Sequence, residues 1–205
     1  MEQTNSLFPE DILSKYMNPP YWDYFLSIEA DLEQCGRFVE FSEDNFSTYS
    51  IQFARIIMAG SSEFDNVVKA LCKTISPDRS PNNMTKYRPI IYSKYPKFFD
   101  CEVSFYRYKL PFKPWRNWTT ENTPDWWSKG YNKIKHNRDT YFKQANLKNA
   151  ILSTAGLFLG ILYYYDSYYG KIPDIDISQE SRLFDISNYD STNYGSISWS
   201  CTVLK

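Results

Sequence analysis

The segment Leu147–Leu162 reads LKNAILSTAGLFLGIL and supplies most of the longest uncharged stretch of the chain, residues 149–165. A membrane-spanning helix needs roughly 20 predominantly apolar residues. This stretch is shorter, contains hydroxyl side chains and ends at an aspartate. The sequence therefore predicts a buried central helix, from Gln144 to about Tyr168, rather than a membrane span.

Two glycines in this segment are four residues apart and so share one helix face. They are Gly156 and Gly160. Because glycine has no side chain, it allows another backbone or side chain to approach closely. The pair predicts a close helix–helix contact, either within one chain or across a dimer. Gly170 and Pro173 follow and are expected to stop the helix.

Two earlier segments have the period of amphipathic helices. The first begins at Tyr21 and extends to about Val39, and the second follows cap candidates in 45–50 and extends to about Thr74. Their apolar stripes, together with the central segment, predict one shared core. The predicted core residues are Phe25, Ile28, Leu32, Phe53, Ile57, Phe64, Leu71, Leu157 and Ile161.

The remaining elements are shorter. A helix is expected over Thr85–Tyr95, a strand over Glu102–Leu110 and a further helix over Pro124–Arg138. Alternating polarity over Ile197–Val203 predicts a terminal strand, paired with either Arg182–Ile186 or Glu102–Leu110. The predicted fold is mainly α: an up-and-down bundle of four to five helices with a small β element at about 102–110 and at the C-terminal strand.

Composition supports a folded protein. Of the 205 residues, 42% are hydrophobic and 19% aromatic, enough to offset the entropy lost on ordering. We divide the chain into an N-terminal arm (1–20), a helical domain (21–170) and a C-terminal tail (171–205).

Charge and cysteine usage exclude several classes of function. The net charge is -1, so no global basic field suits duplex DNA or an anionic membrane. Cys35, Cys72, Cys101 and Cys201 lie far apart, and the single His cannot complete a zinc set. No phosphate-binding glycine loop or hydrolase motif occurs. We expect a cytoplasmic protein with reduced thiols, without metal, cofactor, secretion signal or membrane association.

The segment that could carry chemistry is Asp125–Arg138, DWWSKGYNKIKHNR. On a regular helix, Trp127, Tyr131 and Ile134 would pack inward. Another face would carry the polar set Lys129, Asn132, Lys133 and His136.

Two interpretations of this segment remain open. The helix end with Lys133, Lys135, His136 and Arg138 could hold a phosphate, with the imidazole as an acid/base group. Alternatively, basic residues in a last turn simply complement the helix dipole, and the isolated His is structural.

The spacing of YNKIKHNR, residues 131–138, followed by the long apolar helix, resembles the HEPN (higher eukaryotes and prokaryotes nucleotide-binding) pattern. The upstream order YWDYFLSIEADLEQCGRFVEF (21–41) and YSIQFARIIMAGSSEFDNVVKALC (49–72) is also similar to that family. The resemblance covers residues 21–168. It implies a helical fold and metal-independent cleavage of RNA.

The family motif places an Arg about four to six residues before a His, often as Arg-Asn-x-x-x-His. Asn132 and His136 match the Asn and the His, but Tyr131 occupies the Arg position. Lys129, at the longest spacing, keeps the positive charge without the guanidinium fork. The resemblance implies that His136 moves protons and that the cation stabilises phosphate charge.

The resemblance also implies a supporting polar residue on an early helix, for which Glu63 is the candidate. Glu63, Asn66 and Lys69 share a face, and Asp65 and Lys69 are spaced as an ion pair. The alternative is an ordinary solvated face.

Four tryptophans surround the motif: Trp115, Trp118, Trp126 and Trp127. They could form a base-stacking platform or the lid of the core.

Two functions follow as hypotheses. The first is a HEPN-like RNA-binding or RNA-cleaving protein, in a bacterial defence or toxin–antitoxin setting that the resemblance implies. The second is a non-catalytic dimeric module that binds a partner protein. A symmetric homodimer is expected in either case, because two motif helices would double the cationic groups.

Overall fold

The computed structural model describes residues 21–169 and 180–186. This part of the chain is mainly helical, with a small antiparallel sheet, and so confirms the predicted fold class. The helices are α1 (Trp22–Cys35), α2 (Ile51–Ile75), α3 (Met84–Lys94), α4 (Asn132–Tyr141) and α5 (Leu147–Tyr169). The predicted arm (1–20) and the predicted terminal strand Ile197–Val203 lie outside the described residues.

Within the described residues the sheet contains three strands: β1 (Val103–Phe105), β2 (Leu110–Phe112) and β3 (Phe184–Ile186), in the order β2-β1-β3. The single strand predicted over 102–110 is instead part of a hairpin. Lys109 adopts a left-handed conformation (φ 54°) that reverses the chain between β1 and β2. The two candidate partners for the terminal strand pair with each other, because β1 and β3 form an antiparallel ladder.

Helix α5 forms the centre of the core and packs mainly along α2. An apolar 18-residue stretch of this helix is 89% buried within the protein, which confirms the predicted buried central helix. All nine predicted core residues are buried, none more than 3% exposed. The apolar stripes of the three helices share one core because burial removes their apolar surface from water, which is energetically favourable.

The glycine pair of α5 makes its close contact within the chain. A Cβ on Gly156 would lie 3.0 Å from the Trp115 ring, and one on Gly160 would lie 2.9 Å from the Phe64 ring. Both rings are fully buried. The absence of a side chain at these positions therefore lets aromatic rings pack directly on the α5 backbone.

Replacement of Gly160 by Ala is expected to lower the free energy of unfolding by about 1–3 kcal/mol, because the added methyl overpacks against Phe64. Gly60→Ala in α2 is the matched control. Its Cβ would meet Ser153 at an ordinary 3.5 Å. Better helix propensity should then stabilise this variant by about 0.5–1 kcal/mol. Chemical denaturation measures the free energy of unfolding of both variants. Changes of the same sign in the two variants would contradict the packing described.

The tryptophan cluster is the lid of the core. Trp115, Trp118, Trp126 and Trp127 are each at most 5% exposed. Trp115 stacks on Phe64 at 4.1 Å between ring centroids and donates its indole N–H to the Gly156 carbonyl at 3.2 Å. Because these ring faces are covered by protein, the four tryptophans do not form a base-stacking platform.

A buried carboxylate attaches β3 to α1. Glu29 is 2% exposed and accepts hydrogen bonds from the Ser181 hydroxyl and from the N–H groups of Arg182 and Leu183. Leu183 and Phe184 bury their side chains beside it. Glu29 thus helps to position the 180–186 segment, together with the β1–β3 ladder and the buried Leu183 and Phe184.

Candidate functional site

A backbone clamp brings the start of α2 next to the end of α4. The Ser50 N–H donates to the Ala145 carbonyl at 3.1 Å, and the Leu147 N–H donates to the Thr48 carbonyl at 2.9 Å. Tyr49 and Asn146 form an isolated antiparallel bridge between these bonds. The clamp joins segments that are about a hundred residues apart in sequence.

The motif helix is not a regular α-helix. A π-helical turn, Trp126–Tyr131, precedes α4. Trp127, Tyr131 and Ile134 are buried, as the pattern predicted. A π-turn contains more residues than an α-turn, so it rotates the residues before it relative to those after it. Lys129 lies within this turn, forms an exposed ion pair with Asp125 at 2.9 Å and does not line the groove that contains His136.

The other end of the motif helix is interrupted at Asn137, whose backbone angles (φ -153°, ψ 62°) are not helical. Because of this break, the side chains that lie close together belong to consecutive residues and are not spaced along one face of a helix. Lys135, His136 and Arg138 therefore line one groove together with Asn137 and Asp139.

The groove has a volume of about 890 Å³ and lies between the first turns of α2 and the end of α4. Its polar wall carries Arg55, Lys135 and Arg138 as cations, His136 as the imidazole and Asp139 as the carboxylate. Three cations and one carboxylate give a formal charge of +2, in a protein whose net charge is -1. The groove is thus a local site of positive potential.

Part of the groove lining is apolar. Ile51, Ala54 and Met58 come from α2, and Ile134 and Phe142 come from the other side. Ile51 is 71% exposed, which is unusual for an isoleucine in an amphipathic helix. The groove combines positive charge with accessible apolar surface, a combination suited to ligands that carry both anionic and flat apolar groups.

The remaining predicted site residues lie elsewhere. Asn132 is half-buried and Lys133 lies over the Tyr141 ring, 5.1 Å from its centroid; neither lines the groove. Glu63 accepts a hydrogen bond from Asn66 at 3.0 Å. Burial, and secondarily the charge of Glu63, raise the pKa of Tyr21 at the start of α1. Glu63 does not line the groove.

Asp65 and Lys69 form the predicted ion pair, and Asp65 also accepts a hydrogen bond from the Tyr87 hydroxyl at 2.9 Å. The hydrogen bond from Tyr87 attaches α2 to α3. This part of the α2 polar face has a structural role.

Tyr131, at the Arg position of the resemblance, is 6% exposed and packs against Trp127. The Lys135 ammonium lies 5.4 Å from its ring centroid and donates to its hydroxyl at 3.4 Å. Tyr131 therefore orients a groove cation rather than entering the groove.

Arg55 is the groove cation that sequence reasoning missed. It is exposed on α2, and its guanidinium donates to Gln52 at 3.1 Å. In sequence it is one arginine on the polar face of an amphipathic helix. Only the clamp between residues 46–50 and 142–148 places it opposite Arg138.

Among the described residues, no group of three or more His, Cys, Asp or Glu side chains is arranged to hold a metal ion. Burial raises the pKa of the thiols of Cys35 and Cys101 to about 11 and that of Cys72 to about 12. These three thiols are consequently protonated at neutral pH and poor nucleophiles.

Comparison with protein-family models, with curated proteins and with solved structures finds no match to this chain.

Proposed function

We propose that the groove between α2 and α4 binds the phosphate backbone of RNA. The observation that carries the proposal is the convergence of Arg55, Lys135 and Arg138 on one groove beside His136. Lysine and arginine contacts to phosphate supply essentially all of the affinity of non-specific nucleic-acid binding. The HEPN-like spacing around His136 agrees with RNA as the ligand, and buried, protonated thiols agree with a reducing compartment such as the cytoplasm.

Binding should depend on the groove cations and on salt. Arg55→Ala and Arg138→Ala are each expected to weaken binding of a short RNA oligonucleotide about tenfold or more. Each should also reduce the slope of log affinity against log salt by about 0.7, the value for one lost phosphate contact on a single strand. Fluorescence anisotropy over a salt series measures both quantities.

Lys129→Ala and Lys86→Ala are the matched controls, because both lysines are exposed and neither lines the groove. They should leave affinity and salt slope nearly unchanged. Equal losses from groove and control variants would mean non-specific attraction to positive charge. Absence of RNA binding by the wild type would overturn the proposal.

Whether bound RNA is also cut depends on His136. If it is the general acid or base, His136→Ala should reduce cleavage by about 10²–10⁴-fold, and activity should persist in chelator. The same RNA is incubated with the wild type and with His136→Ala, and circular dichroism checks that both are folded.

A second candidate function is a non-catalytic dimeric module that binds a partner protein. The observation in its favour is that the Arg position of the motif holds the buried Tyr131. Light scattering that gives a dimer mass, together with no cleavage by the wild type, would favour this function. Tyr131→Arg is not expected to restore activity, because the guanidinium would enter the core beside Trp127.

A further inference from the structure

An aromatic pair borders the groove where α2 begins. Tyr49 is 46% exposed, and its ring lies 5.6 Å from that of Phe142, with 83° between the ring planes. Phe142 lines the groove, and so does Ile51, two residues beyond Tyr49. Aromatic and apolar surface thus continues directly from the cationic wall.

We infer that Tyr49 and Phe142 form a subsite on which an unpaired nucleobase stacks. This inference rests on the proposed function and adds the feature of RNA that the groove selects. A nucleotide joins an anionic phosphate to a flat, largely apolar base, and the groove offers cations and aromatic surface side by side. Every base has a π-face, so stacking of this kind tolerates many sequences.

The subsite selects single strands for a geometric reason. In a duplex, each base face is covered by the neighbouring base pairs, so it cannot reach an aromatic ring on the protein. In single strands and loops the bases can be splayed out and stacked on aromatic side chains. A duplex could still contact the cations, but it would gain nothing from Tyr49.

The protein holds Tyr49 ready for such a contact. The bond from the Ser50 N–H to Ala145 and the bond from the Leu147 N–H to Thr48 hold the backbone on both sides of Tyr49. The ring also rests against Phe142. A side chain already ordered loses little conformational entropy when a ligand binds, so more of the stacking energy appears as affinity.

The test compares a short oligoadenylate with an abasic oligonucleotide of the same length, which keeps the phosphates and lacks the bases. Tyr49→Leu removes the ring and keeps apolar volume. We expect it to weaken oligoadenylate binding about 5- to 150-fold, the range for loss of one stacked base. Binding of the abasic strand, and its salt slope, should not change. Tyr49→Phe should bind oligoadenylate as the wild type does.

Tyr24→Leu is the matched control, since Tyr24 is a similarly exposed tyrosine (49%) on α1 and does not line the groove. If the two strands bind the wild type equally, while Arg55→Ala and Arg138→Ala still weaken both, the base subsite is wrong and phosphate binding stands. Loss of abasic-strand binding in Tyr49→Leu would also overturn the subsite, because the residue would then act through groove structure. Failure of the wild type to bind either strand overturns both proposals.

Discussion

Truncation of Leu157 to Ala is expected to lower the free energy of unfolding by about 2–5 kcal/mol, the range for a buried leucine whose site cannot collapse. Leu157 is completely buried on α5. This helix is enclosed by α1, α2 and the tryptophan lid, so little can move to fill a cavity. Urea or guanidinium denaturation monitored by tryptophan fluorescence measures the change.

Leu152→Ala tests the same chemistry on the same helix. Leu152 is only partly buried against the core, so its truncation should lower the free energy of unfolding clearly less than Leu157→Ala does. A loss below about 0.5 kcal/mol for Leu157→Ala, typical of surface substitutions, would mean that α5 is not the centre of the core.

Replacement of Glu29 by Ala is also expected to lower the free energy of unfolding substantially. The carboxylate accepts from the Ser181 hydroxyl and from two backbone N–H groups of the 180–186 segment. Its removal leaves the buried Leu183 N–H without an acceptor, which costs about 1–3 kcal/mol, and it also removes the part-buried hydrogen bonds from Ser181 and Arg182. We expect a total loss of about 2–4 kcal/mol, with hydrogen exchange showing reduced protection of the Arg182 and Leu183 amides.

Glu33→Ala is the control for Glu29, one turn further along α1. Glu33 forms ion pairs with Arg107 at 3.3 Å and Arg182 at 3.5 Å, and both arginines are more than half exposed. Exposed ion pairs contribute about 0–1 kcal/mol, so this variant should lose little stability. Equal losses from the two variants would contradict the role assigned to Glu29. The overall negative charge of α1, rather than the hydrogen bonds to Glu29, would then explain how β3 is attached.

The candidate site was only partly predictable. The sequence pointed to Lys135, His136 and Arg138, which the structure brings together in the groove. It also grouped Lys129 with His136, on the assumption of a regular helix. The π-turn Trp126–Tyr131 and the break at Asn137 depart from that regular helix. Neither irregularity is visible in the periodicity, because the periodic pattern assumes one helical repeat throughout the segment.

The sequence by itself determined the helical fold class, the core and the approximate helix bounds. Ser50, for example, caps α2 by accepting from the Phe53 N–H at 3.1 Å, within the segment where a cap was expected. These features depend on local periodicity and on contacts between near neighbours, which a single sequence displays directly.

Only the tertiary structure decided which polar residues share a groove. Arg55, Tyr49 and Phe142 have no distinguishing local pattern, and their meeting with Arg138 depends on backbone bonds between residues 46–50 and 142–148. It also decided that β1 forms a ladder with β3, a strand far away in sequence whose preceding residue, Leu183, donates to the Glu29 carboxylate. Such contacts result from the packing of the whole core. The periodicity of one segment does not show which distant segment it will contact.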